Sequence, residues 1–344
     1  TPDYYSANPQ ISIKDNSGID EYYIGWEDWS DYLNPVIYGQ KIIDGEKQWG
    51  ENGIQIAGES AFCEMINVID RFYIWIEVNW PIYCMKVKLI DENGNTAPGW
   101  TEDGLLIYDN VGYYSNCNFK LIPSGLFIIW IDYDGQSNQI YGQIVDYDGN
   151  IQWQEGGIPL VSENYPQHFD VIYSDDIYIV WNDFRDGEQL NYYLQKFNED
   201  GEALWQDGGI QISYFNFYPN RDPVLASVEE DILVVWEHSY EDEFSQIKAQ
   251  LVSPYGDLQY NLTGLTICDQ LMDQENPQVY VNGTNAYISW RDNRSTTMVE
   301  EGLTTIPGVY AQKVHLEPTF TNDEILNPID VFCIYPNPFN PSGA

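Results

Sequence analysis

Basic side chains are the scarcest feature of this sequence. Only 14 Lys and Arg stand against 54 Asp and Glu, for a formal net charge of -40, so a phosphate backbone or an anionic lipid surface would be repelled. Nucleic acid is excluded as a partner. Cysteine (5) and histidine (3) are also few. Cys63, Cys84, Cys117, Cys268 and Cys333 form no CxxC and no Cys/His spacing, which argues against a structural zinc site, and an odd count leaves at least one thiol free in a monomer. Long apolar runs are missing as well. The longest, around Leu126 to Ile131, has strand length, far below the ~20 residues of a membrane span, so no membrane insertion is expected. The chain opens without a basic and apolar leader, consistent with an export signal removed or not included. There is no nucleophile motif, phosphate-binding glycine loop or metal-ligand triad.

What the sequence has instead is aromatic residues and repetition. Tyr, Trp and Phe make up 15% of the chain, with 28 Tyr and 12 Trp, a composition suited to pleated strands and tight turns. Trp26, Trp75, Trp130, Trp181, Trp236 and Trp290 recur 49 to 55 residues apart. Each closes or sits in a short alternating apolar run (YYIGW, FYIWI, LFIIW, IYIVW, ILVVW, AYISW), the period-2 signature of a strand with a buried face. A second run follows, with Gln40, Gln143, Gln195, Gln250 and Gln312 in register and Met85 assigned to the remaining slot. Turns such as Asp44-Gly45, Asn93-Gly94, Asp148-Gly149 and Asp200-Gly201 come next, and Asp-Gly or Asn-Gly between alternating runs predicts a hairpin. Each unit then places an aromatic residue (Trp49, Trp100, Trp153, Trp205, Tyr260, Phe320) and, five residues on, an aliphatic one that opens another strand. A further strand precedes each anchor.

Four strands in about 50 residues match a propeller blade better than a solenoid turn. The expected fold is all-β, a six-bladed β-propeller of four-stranded antiparallel blades over residues 1–328, with 329–344 a linker and the truncated start of a further domain. A blade cannot bury both faces alone, so the anchor tryptophans are expected to pack between neighbouring blades.

The block Trp-x-Asp-x-Arg, then a Tyr-x-Gln-Lys strand, then Asp-Gly-x-x-x-Trp and Gly-Ile-x-Ile resembles a broad group of secreted bacterial propellers, largely without assigned activity. It is best matched at Trp181-Asn182-Asp183-Phe184-Arg185 and Trp290-Arg291-Asp292-Asn293-Arg294. The segment Tyr335-Pro336-Asn337-Pro338-Phe339-Asn340-Pro341 resembles the opening of the C-terminal sorting domain of type IX secretion cargo, which implies export across an outer membrane to the cell surface or medium. The recurring turn is similar to the Asp-box of sialidases, but its Gly lies four residues before the Trp rather than three, so no activity is carried over from it.

In an antiparallel blade, the loops between strands two and three and those between blades share one face, and here those loops vary in length and composition, as a recognition surface does. They carry Trp29, Tyr32, Trp80, Tyr133, Phe184, Tyr240 and Phe244. Rings beside carboxylates can stack on sugars while the oxygens take hydroxyl hydrogen bonds, so these seven are the candidate ligand-binding residues. Two residues after five of the six anchors stand Asp28, Glu77, Asp132, Asp183 and Asp292, with His238 in the sixth place. Such a ring could hold a divalent cation such as Ca2+, and no other cofactor is expected; the structural alternative is that each carboxylate accepts loop N–H bonds and that Arg185 and Arg294 pair with Asp183 and Asp292. The acidic turn Asp146 to Asn150 lacks the far bidentate Glu of a calcium loop and reads as turn geometry.

The functional expectation is a secreted or cell-surface module that binds a glycan or protein through its variable face without catalysis, and so no enzyme. The alternatives are a glycan-cleaving enzyme on the same scaffold, which needs a carboxylate pair, and a self-assembling matrix subunit whose partner is itself.

Overall fold

The alternating runs form strands because β-branched and aromatic side chains fit a pleated, half-buried surface. The computed structural model describes residues 6–16, 19–31, 36–57, 62–68, 71–78, 84–109, 113–133, 137–162, 165–185, 187, 190–214, 223–239, 244–294, 297–299, 302–304 and 308–316. The anchors lie on the second strands of six successive antiparallel sheets: Ile19–Asp28, Arg71–Val78, Gly125–Tyr133, Asp176–Asp183, Asp231–His238 and Asn285–Asp292. Sheets two to five are four-stranded meanders in chain order, and the first adds the two-residue strand Glu46–Lys47. The sixth has three strands among the described residues. A hairpin, Thr297–Val299 with Gly302–Thr304, occupies the insertion before Gly308–His315. No helix occurs among the described residues. The chain is thus all-β and built of propeller blades, as expected. Phe320, the last predicted strand and the segment 335–341 lie outside the described residues.

Strand register explains the repeated glutamine. The residue two before an anchor pairs with it: Ile24 with Gln40, Ile179 with Gln195, Val234 with Gln250 and Ile288 with Gln312. In the second sheet that position pairs Tyr73 with Leu89, whereas Met85 lies opposite Glu77. Leu89, not Met85, therefore fills the slot. Gln40, Gln143, Gln195 and Gln250 each serve the bend that follows. Gln195 accepts the amides of Lys196 (2.9 Å) and Trp205 (3.2 Å) and donates to the Gln206 carbonyl (2.8 Å); Gln250 repeats this with Leu251 and Tyr260. One side chain satisfies three backbone groups at the bend. With leucine in the slot, Lys88 donates instead to the carbonyls of Glu102 (2.7 Å) and Ile56 (3.2 Å).

The glycine before the fourth strand is set by the anchor ring. Gly209 sits at φ +78°, and a Cβ there would stand 2.7 Å from Trp181 Cη2 and 2.9 Å from the Leu194 carbonyl oxygen. Gly157 is held in the same way against Trp130. Any side chain would meet both positive φ and overlap with an immobile ring.

The chain divides into two compact units, residues 1–136 with 141–159, and residues 137–140 with 160–344. In the first unit Trp49 Nε1 donates to the Glu92 carbonyl (3.2 Å) and Trp100 Nε1 to that of Tyr147 (3.4 Å), each reaching the turn of the next sheet. Trp130 packs with Met85, Val87 and Leu89 of the sheet before it. The second unit repeats the pattern. Trp205 Nε1 reaches the Pro254 carbonyl (3.2 Å), Trp236 packs with Val180, Tyr192 and Leu194, and Trp290 with Val235, Ala249 and Leu251. Trp130, Trp181, Trp236 and Trp290 are buried, as expected of core, whereas Trp26 is half-buried. Cys84 and Cys268 are free thiols, both buried.

Candidate functional site

The ends of the second strands carry the candidate carboxylates, and the repeat shows which of them are structural. In the fourth sheet Asp183 is fully buried. Its Oδ2 accepts Trp181 Nε1 (2.9 Å), and the Arg185 fork closes on both oxygens, Nε on Oδ1 (3.0 Å) and the second terminal nitrogen on Oδ2 (2.6 Å). The guanidinium lies 3.5 Å from the Tyr193 ring centre, and its remaining nitrogen donates to the Gly208 carbonyl (2.8 Å). The sixth sheet repeats the clamp with Trp290, Asp292, Arg294 and Tyr310. Burial alone would raise the Asp292 carboxyl, but the bonds from Arg294 and Trp290 outweigh it and hold the group below the usual carboxylate range. Trp-x-Asp-x-Arg is a strand-end lock that joins the second strand of the sheet to the third.

The other units lack that arginine: Ser30, Asn79, Asp134 and Tyr240 stand in its place. Here the strand ends differ. In the first sheet the buried positions run Glu21, Tyr23, Gly25, Glu27, so Glu27, not Asp28, is the fully buried carboxylate. Glu27 Oε2 accepts the indole N–H of Trp29 (2.8 Å), a ring that is itself only half-buried. Asp28 caps its own loop through the Ser30 amide (2.8 Å). Asp132 is buried at the end of its strand, beside Tyr133, which is 42% exposed. In the fifth sheet Glu237 and His238 are both buried.

Burial, with Lys248 adding to it, lowers the His238 imidazole to about 4. Its folded value therefore lies below the unfolded ~6.5, so the unfolded chain takes up more protons between those values. Stability is lost as pH falls from about 6.5 towards 4, by up to about 3 kcal/mol. His238→Gln is expected to flatten that part of the profile, which urea midpoints at pH 7 and pH 4.5 would measure.

Of the predicted ring residues, Tyr133, Phe184 and Phe244 are exposed and Trp29 is half-exposed. Tyr32, Trp80 and Tyr240 lie outside the described residues, as does the side chain of Glu77. Among the described residues no group of three or more His, Cys, Asp or Glu is placed to hold a metal ion. Asp146 Oδ1 accepts the amides of Asp148 (2.9 Å) and Asn150 (2.8 Å), which is turn geometry. Alternation along the YYIGWED run carries the signal for Glu27; the two-residue offset from the anchor pointed to Asp28 instead.

No protein-family model and no curated protein matches the chain. Several solved structures do. An α-L-arabinofuranosidase from Lactobacillus brevis is 11% identical, with a TM-score of 0.39 over 74% of this chain and 91% of that one. An endo-1,4-β-xylanase from Bacteroides thetaiotaomicron is 9% identical, at 0.37 over 81% and 96%. A puromycin hydrolase is 10% identical, at 0.48 over 88% of this chain and 43% of its own. The likeness is one of fold. At these scores it assigns neither substrate nor residues, yet it corrects one expectation. The neighbours are named as enzymes, two of them as glycoside-cleaving ones, so the preference for a non-catalytic binder and against an enzyme does not stand.

Proposed function

We propose that this protein is a glycan-cleaving hydrolase acting at the variable loop face, with Glu27 as one of its working carboxylates. The supporting observation is the pairing of Glu27 with Trp29: a buried carboxylate and a half-exposed indole held together at a strand end. Sugar hydrolysis needs a carboxyl group beside the glycosidic oxygen and a second one across the ring, and an aromatic platform fixes the ring's orientation. Asp132, the other buried carboxylate at such a strand end among the described residues of the first unit, is the candidate second group. Tyr133, exposed beside Asp132 in the same unit, is the candidate further stacking ring. Asp183 and Asp292 are left out because their oxygens are taken by arginine, which also removes them from any cation ring.

The proposal includes a count of six blades and a place outside the cell. The net charge of -40 and the Tyr335 to Pro341 segment support export. The test is release of new reducing ends from a panel of plant and microbial polysaccharides. Release from at least one is expected; binding to one of them with no release from any would overturn the enzyme reading.

A further inference from the structure

The fifth sheet carries an acid whose partner the repeat supplies elsewhere. In the first sheet Glu21 holds Lys41 Nζ at 2.6 Å, and the ammonium lies 5.3 Å from the Tyr23 ring centre. In the fourth, Asp176 holds Lys196 Nζ at 2.8 Å, with the Tyr178 ring at 5.4 Å. Register makes these the same three places: the acid five residues before the anchor Trp, the tyrosine two residues after the acid, and the lysine opposite the tyrosine. In the fifth sheet the acid is Asp231, but Leu233 replaces the tyrosine and Leu251 the lysine. The fifth sheet has the carboxylate at this place but no lysine opposite.

Asp231 is only 4% exposed, and its Oδ2 accepts no hydrogen bond among the described residues. It lines a cavity of about 620 Å³ with Glu229, Glu230, Ser253, Pro254, Tyr255 and Asp257. Burial first, then Glu230 and Glu229, pushes the Asp231 carboxyl up to about 6, so the group is largely charged at neutral pH and is held at a disadvantage there. Three further carboxylates around it make the cavity a place where positive charge is favoured.

We propose that this cavity is a binding site for a primary ammonium group on an alkyl stem, the chemistry of a lysine side chain or an alkylamine, which takes the place that Lys41 and Lys196 occupy in their own sheets. An ammonium donates three hydrogen bonds from a compact charge, enough to satisfy Asp231 Oδ2 and reach the flanking carboxylates. Its stem would lie against Pro254 and Tyr255. The site is on the uniform face of the fifth blade and is independent of the hydrolase reading.

The experiment titrates n-butylammonium chloride into the isotopically labelled protein at neutral pH, followed by amide NMR, with n-butanol and calcium chloride as parallel arms. Saturable shifts confined to residues 229–231 and 253–257 are expected with butylammonium alone. Asp231→Asn should weaken its binding at least tenfold. Leu251→Lys, which supplies the missing ammonium internally, should abolish it. Equal shifts from butanol, saturation by calcium without butylammonium, or butylammonium shifts unchanged in Asp231→Asn would each overturn the proposal, as would no shift at all.

Discussion

Glu27→Gln is expected to lower glycan turnover by roughly a thousandfold while leaving the fold intact. The substitution keeps the shape of the side chain and an oxygen for the Trp29 indole N–H, which in the native protein is bonded at 2.8 Å. What it removes is the ability to give or take a proton, a contribution of roughly a hundred- to ten-thousandfold in enzymes that depend on it. Substrate binding through the rings should change little, so the loss is expected in kcat with KM nearly unchanged. Trp29→Ala should do the converse and raise KM. Rates of reducing-end release, normalised to folded protein, separate the two.

Arg294→Ala should leave turnover per folded molecule alone and cost about 3 kcal/mol of stability. Asp292 is fully buried, and Arg294 covers both of its oxygens while stacking 4.1 Å from the Tyr310 ring centre. Removing one partner of a buried pair leaves the other charge without compensation, which is costlier than losing an exposed bridge. The pH dependence has a definite sign. Because the folded Asp292 carboxyl is held below its unfolded value, its contribution is complete above the unfolded pKa of about 4 and is lost as pH falls through the folded value. The variant and the native protein should therefore converge in acid. Urea unfolding at pH 7 and at pH 3 measures this.

Much of the fold was legible because each repeated residue answers a local requirement. The glutamine satisfies the bend, the glycine admits the anchor ring, and the Asp-Gly turn supplies positive φ, so pattern and geometry coincide. The second unit departs from the pattern where that chemistry changes. Leu89 follows Trp75 by 14 residues, the spacing that separates Trp26 from Gln40 and Trp181 from Gln195, but without an amide side chain the position carries no marker, and the pattern points to Met85 instead. The candidate site was less legible. A fixed offset of two residues from the anchor selects Asp183 and Asp292, which prove to be locked by arginine, whereas burial at the first strand end falls on Glu27. Which neighbour of an anchor is buried depends on what packs against each face of the strand, and repetition alone does not encode that. Asp231 carries no signal in the sequence for a related reason. Its interest lies in a lysine that is absent, and only strand register shows where that lysine would have been.

The central claim is that arginine-locked strand ends are scaffold and the arginine-free Glu27 end is chemistry. Thermal midpoint and kcat, measured together on Asp292→Asn and Glu27→Gln, test it most directly. A crossed result is predicted: Asp292→Asn melts several degrees lower with native kcat, and Glu27→Gln melts near the native temperature with kcat almost gone. Parallel losses in both variants, or full turnover in Glu27→Gln, would contradict it.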